Sequence, residues 1–254
     1  MSNSTPLVIL CTGANRGIGL AIIQALASHS KTSGASFLLG CRTADKGKEA
    51  IDELRGKGIK SSIEPLVLDV TSDESIQDAF GLVQSLYGRL DVLVNNAGYA
   101  AIPSSSENSD WRDIYARVYE TNVTSVALMM QAFLPLLRKS TGTIINISSA
   151  RGSAGLASSG ALPPTVSVPY SVSKAALNML TIETSRQAEN QKVEFQLVSP
   201  GHCKTAFNGY RGTRDPLEGA NVVVGLIVAE KGRYKNACFW ETKGANVDLV
   251  EIPW

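Results

Sequence analysis

The sequence predicts an α/β protein: a doubly wound, mostly parallel sheet of seven strands flanked by helices. Three observations carry that expectation. Short apolar runs alternate with amphipathic stretches, the pattern that βαβ units with right-handed crossovers produce. A glycine-rich turn, Thr12-Gly13-Ala14-Asn15-Arg16-Gly17-Ile18-Gly19, separates the first apolar run from the first helical pattern. No linker-like stretch divides the 254 residues, a length that open α/β sheets often use for one unit, so residues 1–254 read as one domain.

The apolar runs fall at residues 7–11, 37–41, 66–68, 92–94, 143–147, 195–198 and 237–240. They are short and nearly continuous, as parallel strands buried on both faces must be. Helical patterns lie between them, including 18–28, 73–86, 114–137, 170–189 and 216–228. Two of these carry start signals: Thr71 with Glu74 fits a capping box, and Asp215-Pro216-Leu217-Glu218 offers an N-cap, a first-turn proline and a reciprocal acid. No internal repeat of fixed period occurs. The one shift of composition, the Ser/Gly/Ala/Pro-rich stretch 152–168, reads as a surface loop near the active site.

Composition narrows the function. Hydrophobic residues make up 44% of the chain, enough for a buried sheet, and a net charge of +1 gives no field to attract nucleic acid or an anionic membrane. Cys11, Cys41, Cys203 and Cys238 show no metal-ligand spacing, and His29 and His202 stand far apart, so no metal site is expected and the cysteines read as buried free thiols. Residues 1–6 lack the basic segment and apolar run of a secretory signal, and no run approaches bilayer length. A cytoplasmic protein with reduced thiols is the expectation.

The glycine turn has a physical purpose where it stands. With a strand ending at Cys11 and a helix starting near Ile18, main-chain N–H groups and the positive helix end face the place a pyrophosphate would take. Glycines alone are ordinary turn material; strand, turn and helix together make a phosphate-binding element. The second strand ends Leu39-Gly40-Cys41-Arg42 with no acid at the turn, and Asp45 comes too late to supply one. An acid there would bind a ribose 2′-hydroxyl, whereas arginine pairs with a 2′-phosphate. Arg42, with Arg16 inside the glycine turn, therefore favours NADP(H) over NAD(H).

Farther along, Tyr170 and Lys174 stand four residues apart on a predicted helix and share a face. A free phenol has a pKa of about 10, and a nearby ammonium together with an oxidised nicotinamide would lower it toward a working range for proton exchange. Pro169 suits the helix start and leaves Tyr170 in the first turn.

In order along the chain, the spacing Gly13, Gly17, Gly19, the run Asn95-Asn96-Ala97-Gly98, Asn122, the Ser149/Tyr170/Lys174 set and Pro200-Gly201 resemble the short-chain dehydrogenase/reductase family over nearly the whole length. The resemblance implies a Rossmann-like fold and assigns expected roles. Gly13, Asn15, Arg16, Gly17, Ile18 and Gly19 would hold the cofactor together with Arg42. Asp69 and Val70 would meet the adenine, and Asn96, Ala97 and Gly98 would line the cleft. Tyr170 and Lys174 would serve both cofactor and chemistry, while Pro200, Gly201 and Thr205 would lie by the nicotinamide.

Ser149, in Ser149-Ala150-Arg151-Gly152, matches the family serine that hydrogen-bonds the substrate oxygen, in preference to Ser148. Asn122 would anchor water beside Lys174, or else be a packing or kink residue in its helix. His202 would line the pocket at most.

The separation of Ser149 from Tyr170 exceeds the common family pattern. It resembles the carbonyl reductase branch, as do the glycine turn, residues 90–98 and the closing residues 239–254. The extra residues would form a pocket wall or obstruct the helix pairing by which relatives dimerise, leaving monomer and homodimer both open. Loops 99–110, 151–168 and 202–214 would contact substrate, and their lack of a cation cluster fits a moderately apolar ketone or aldehyde. The expected function is NADPH-dependent carbonyl reduction, reversible as alcohol oxidation, with Tyr170 as proton donor. An imine or enone reductase on the same scaffold, and a non-catalytic NADP(H)-binding sensor or partner protein, stay open as alternatives.

Overall fold

The structure, a computed structural model of the chain, describes residues 6–102, 110–243 and 248–254. Parts of the polar start at 1–6 and of the predicted loop at 99–110 lie outside the described residues.

The strands are β1 (Val8–Cys11), β2 (Ser36–Cys41), β3 (Ser62–Val67), β4 (Val92–Asn95), β5 (Thr143–Ile147), β6 (Glu194–Ser199), β7 (Cys238–Thr242) and β8 (Leu249–Glu251). The helices are α1 (Gly17–Ser28), α2 (Ala44–Gly56), α3 (Asp73–Tyr87), α4 (Trp111–Tyr119), α5 (Ser125–Ser140), α6 (Ala154–Ser158), α7 (Val168–Ser185) and α8 (Pro216–Val228). The strands form one sheet in the order β3-β2-β1-β4-β5-β6-β7-β8. Every pairing is parallel except β7 with β8. The order reverses direction between β1 and β4, which opens a crevice at the carboxyl ends of those strands.

Alternation along each strand feeds two cores. Ile9 and Cys11 of β1 pack with Ile22, Leu26, Val222 and Val223 from α1 and α8, while Val8 and Leu10 pack with Ile76, Val83, Met129 and Phe133 from α3 and α5. Because helices cover both faces, all four residues of β1 are buried and the strand reads as an unbroken apolar run.

Among the described residues the sheet has eight strands, not the seven expected. Short β8 has no apolar run to announce it and pairs antiparallel with β7. Helix α2 was also missed: its sequence is mostly charged, and its core contact rests on only Gly47, Ala50 and Leu54. Its start signal was nevertheless legible, since the Thr43 side chain accepts from the Lys46 N–H.

The expected capping box at Thr71 is corrected too: Ser72 caps α3, accepting from the Ser75 N–H at 3.2 Å, because the helix begins one residue later than that pattern assumes. Asp215 does cap α8, accepting from the Leu217 N–H at 2.7 Å. The pattern at 114–137 is two helices joined by a π-helical turn, Glu120–Thr124, which contains Asn122. The pattern at 170–189 is α7, which starts earlier, at Val168, and ends at Ser185. The stretch 152–168 is not all loop, since it holds α6.

Candidate active site

The glycine turn is laced to the end of β4. Thr12 Oγ1 accepts from the N–H groups of Asn96 and Ala97, each at 3.0 Å, and Asn96 Nδ2 donates to the carbonyls of Thr12 at 2.8 Å and Gly13 at 3.1 Å. Asn96 therefore binds the turn itself, and Ala97 sits against it: a Cβ on Gly13 would lie 3.0 Å from Ala97 Cα. Gly19 leaves no room for a side chain, because a Cβ there would fall 2.5 Å from Asn96 Nδ2 and 2.7 Å from the Gly13 carbonyl oxygen. Gly17 opens α1 at φ +60°, a left-handed conformation that favours glycine. The helix entrance has no side-chain cap from Arg16 and no acid in its first turn, so its leading N–H groups keep the capacity to meet an anion.

Arg16, and Arg42 at the end of β2, are exposed and make no ion pair among the described residues. Asp69 and Val70 follow β3, with Val70 buried. Asp69 Oδ1 accepts from the Thr71 N–H at 3.0 Å and from its hydroxyl at 2.8 Å. On the other flank, a Cβ on Gly17 would lie 3.6 Å from Thr205, so the turn after β6 stands beside the glycine turn. The predicted cofactor residues are thus drawn from the ends of β1, β2, β3, β4 and β6 to one edge of the sheet.

Next to them lies the Ser149/Tyr170/Lys174 set. Pro169 falls in the first turn of α7 and Tyr170 follows it, as expected. The Ser149 hydroxyl neighbours the Tyr170 phenol and favours its ionised form, and Ser149 Oγ accepts from the Arg151 N–H at 3.2 Å. Lys174 is buried; its ammonium lies 5.6 Å from the centroid of the Tyr170 ring and donates to the Ile147 carbonyl at 2.7 Å. Neighbouring Ser148 is turned into the core, where its hydroxyl donates to Asn178 Oδ1 at 2.6 Å.

The chain's own groups do not acidify the phenol as expected. Burial pushes Tyr170 up to about 12 against a smaller downward pull from the Ser149 hydrogen bond, and burial pushes Lys174 down to about 7. Desolvation disfavours the charged form of both groups.

Asn122 does not reach Lys174 with its side chain. Its Oδ1 accepts from the Tyr99 N–H at 2.8 Å, and its Nδ2 donates to the Tyr99 carbonyl and to Ser173 Oγ, both at 2.9 Å. It therefore ties the π-helical turn to the segment after β4 and to α7.

Three features escaped the sequence reading. Phe207, in the turn Ala206–Asn208, sets its ring 5.8 Å from that of Tyr170. Arg214 closes the loop 202–214 at its base. Its guanidinium donates to the carbonyls of Pro200 at 3.1 Å and Thr242 at 3.3 Å, and pairs with Glu241 at 3.5 Å. The same group fills the space beside Gly201, where a Cβ would meet Arg214 Nη1 at 2.6 Å. Exposed His202 contributes its main chain, with its carbonyl accepting from the Thr213 and Arg214 N–H groups at 2.9 and 3.1 Å.

Third, the closing residues reach the segment after Ser149. Ser153 Oγ donates to the Pro253 carbonyl at 2.5 Å, and the Gly155 N–H donates to the Trp254 carbonyl oxygen at 2.5 Å. From the other side, Asn178 Nδ2 donates to the Gly152 carbonyl at 3.2 Å. No local motif announces these contacts, which join positions far apart in the chain.

An open α/β sheet with a glycine-bearing crossover at its switch point, and a tyrosine, lysine and serine gathered beside it, defines the class of dinucleotide-dependent oxidoreductases. Residues 7–215 match the family model described as short chain dehydrogenase, and the chain belongs to that family.

It is 37% identical to the short-chain dehydrogenase anuI of Penicillium roqueforti, over the full length of both chains. It is 35% identical to a short-chain dehydrogenase/reductase of Aspergillus fumigatus, covering 100% of this chain and 99% of that one. Among solved structures, NADPH-bound carbonyl reductase from chicken fatty liver superposes with a TM-score of 0.77 at 29% identity, covering 92% of this chain and 95% of that one. A metagenomic short-chain oxidoreductase in complex with NADP gives a TM-score of 0.73 at 27% identity, with coverage of 91% and 94%.

Proposed function

We propose that the protein is an NADPH-dependent reductase of ketones or aldehydes. The observation that carries the reading is the placement of Tyr170 beside Ser149 and Lys174, next to a glycine turn in which Gly19 has no room for a side chain. Two hydroxyls then face one substrate oxygen, next to a cradle suited to a dinucleotide.

The residues fit that cofactor. The unblocked helix entrance at Gly17 suits a pyrophosphate, and the unpaired, exposed Arg16 and Arg42 suit a 2′-phosphate. The relatives solved with NADP or NADPH support the same choice. When bound, NADPH supplies the hydride for the carbonyl carbon.

The chain's part is binding, orientation and proton transfer. The Ser149 hydroxyl donates to the carbonyl oxygen and holds it within reach of the phenol. Tyr170, held protonated through the neutral range, delivers its proton to that oxygen. Lys174 supports the phenolate left behind and binds the nicotinamide ribose. Ile18, Asn96, Ala97, Gly98, Pro200, Gly201 and Thr205 complete the cofactor cleft, Asp69 and Val70 meet the adenine, and Asn15 lies within the glycine turn.

The test is NADPH consumption against matched panels of ketones, aldehydes, imines and enones. Turnover with the carbonyl panel supports the reading. Turnover confined to imines or enones, or NADPH binding without turnover on any panel, rejects it.

A further inference from the structure

Phe207 packs beside the phenol that the proposed reaction uses. Its ring lies 5.8 Å from that of Tyr170 at an interplanar angle of 59°, and a Cβ on Gly98 would lie 4.0 Å from Phe207 Cε2. The ring therefore lies beside both α7 and the segment that follows β4. It is also 50% exposed, so part of its surface is turned to solvent at the mouth of the site.

A carbonyl oxygen held by Tyr170 and Ser149 leaves the substituents of its carbon only a few ångströms from that ring. Ile102 and Val166 are exposed on neighbouring segments, joined by the Ser167 hydroxyl donating to the Ala101 carbonyl at 3.1 Å, and Tyr210 is exposed on the same turn as Phe207. A large apolar side chain left half in water beside the Tyr170 phenol offers a surface for a ligand to cover.

We propose that Phe207 is a specificity-determining residue of this site, selecting carbonyl substrates that carry a flat apolar ring next to the reacting carbon. The inference rests on the carbonyl-reductase reading above. A planar ring laid on Phe207 gains an aromatic contact in addition to the apolar area it buries, which an open-chain substituent of equal carbon count does not gain.

The experiment compares wild type with Phe207→Ala and Phe207→Leu, using NADPH and a pair of ketones of equal carbon number, one aryl and one open-chain. Wild type should favour the aryl ketone by about two- to tenfold in kcat/KM. Phe207→Ala should lose most of that preference, chiefly through KM for the aryl ketone, and Phe207→Leu should fall between them. Because the side chain is half-exposed, truncation leaves the core intact, and a thermal melt checks this. Activity in wild type with a ratio unchanged in Phe207→Ala overturns the inference alone. No turnover of either ketone by wild type, with the broader carbonyl panel also inert, overturns the reductase reading and this inference with it.

Discussion

The Lys174 ammonium faces the Tyr170 ring at 5.6 Å, yet its short hydrogen bond, 2.7 Å, runs to the carbonyl of Ile147 at the end of β5. The strand thus fixes the lysine and the lysine lies beneath the phenol. With the lysine pushed down to about 7 and the phenol up to about 12, the phenol is neutral at pH 7 while the lysine is poised near the midpoint of its titration.

Replacing Tyr170 by Phe removes the acid and leaves the ring. Carbonyl reduction should fall by roughly 10²–10⁴-fold in kcat, while the dissociation constant for NADPH, read by fluorescence titration, changes little. Undiminished turnover in the variant rejects Tyr170 as proton donor.

Lys174 makes a prediction about stability and pH. Its folded value of about 7 lies below the ordinary 10.5, so between those values the unfolded chain holds a proton the folded chain has released. Stability therefore rises with pH across that window and is independent of this group below it. Relative to Lys174→Met, which cannot titrate, ligand-free wild type should gain about 1–2 kcal/mol from pH 7 to pH 9. Urea melts at several pH values measure it, and a constant difference between the two proteins contradicts the placement of the lysine.

Arg42→Ala tests the choice of dinucleotide. Loss of a charge-assisted contact to a 2′-phosphate should raise KM for NADPH by about 10–100-fold and leave KM for NADH nearly unchanged. Equal effects on both would show that Arg42 does not read the phosphate.

Gly19→Ala tests the close approach of α1 to the segment after β4. The added methyl meets Asn96 Nδ2 and the Gly13 carbonyl far inside contact distance. Overpacking of this kind costs about 1–3 kcal/mol, which for a chain of this size lowers Tm by roughly 3–10 °C, and NADPH affinity should drop with it. A melt unchanged from wild type refutes the crowding.

Much of this was legible in the sequence because the physics is local. A strand buried on both faces has to be an apolar run, so β1, β5 and β6 stood at or within a residue of their expected limits. Asp215 and Pro216 marked the start of α8. The glycine turn was equally plain, because tight turns and close approaches demand glycine.

What stayed hidden depends on contacts across the fold. Helix α2 shows the core only a narrow stripe, and β8 exists through its pairing with β7. The balance of burial against charge at Tyr170 and Lys174 is set by how deeply each group sits, which spacing does not encode. Phe207 and Arg214 act through partners on other elements, and nothing in their immediate neighbours marks them.

The bond from Ser153 to Pro253 spans a hundred positions of the chain. The segment just after Ser149 and the closing segment consequently have to vary as a pair. A chimaera that imports one stretch from a relative while keeping its own copy of the other breaks the strap that holds the residues just after Ser149, and exchanging both together preserves it.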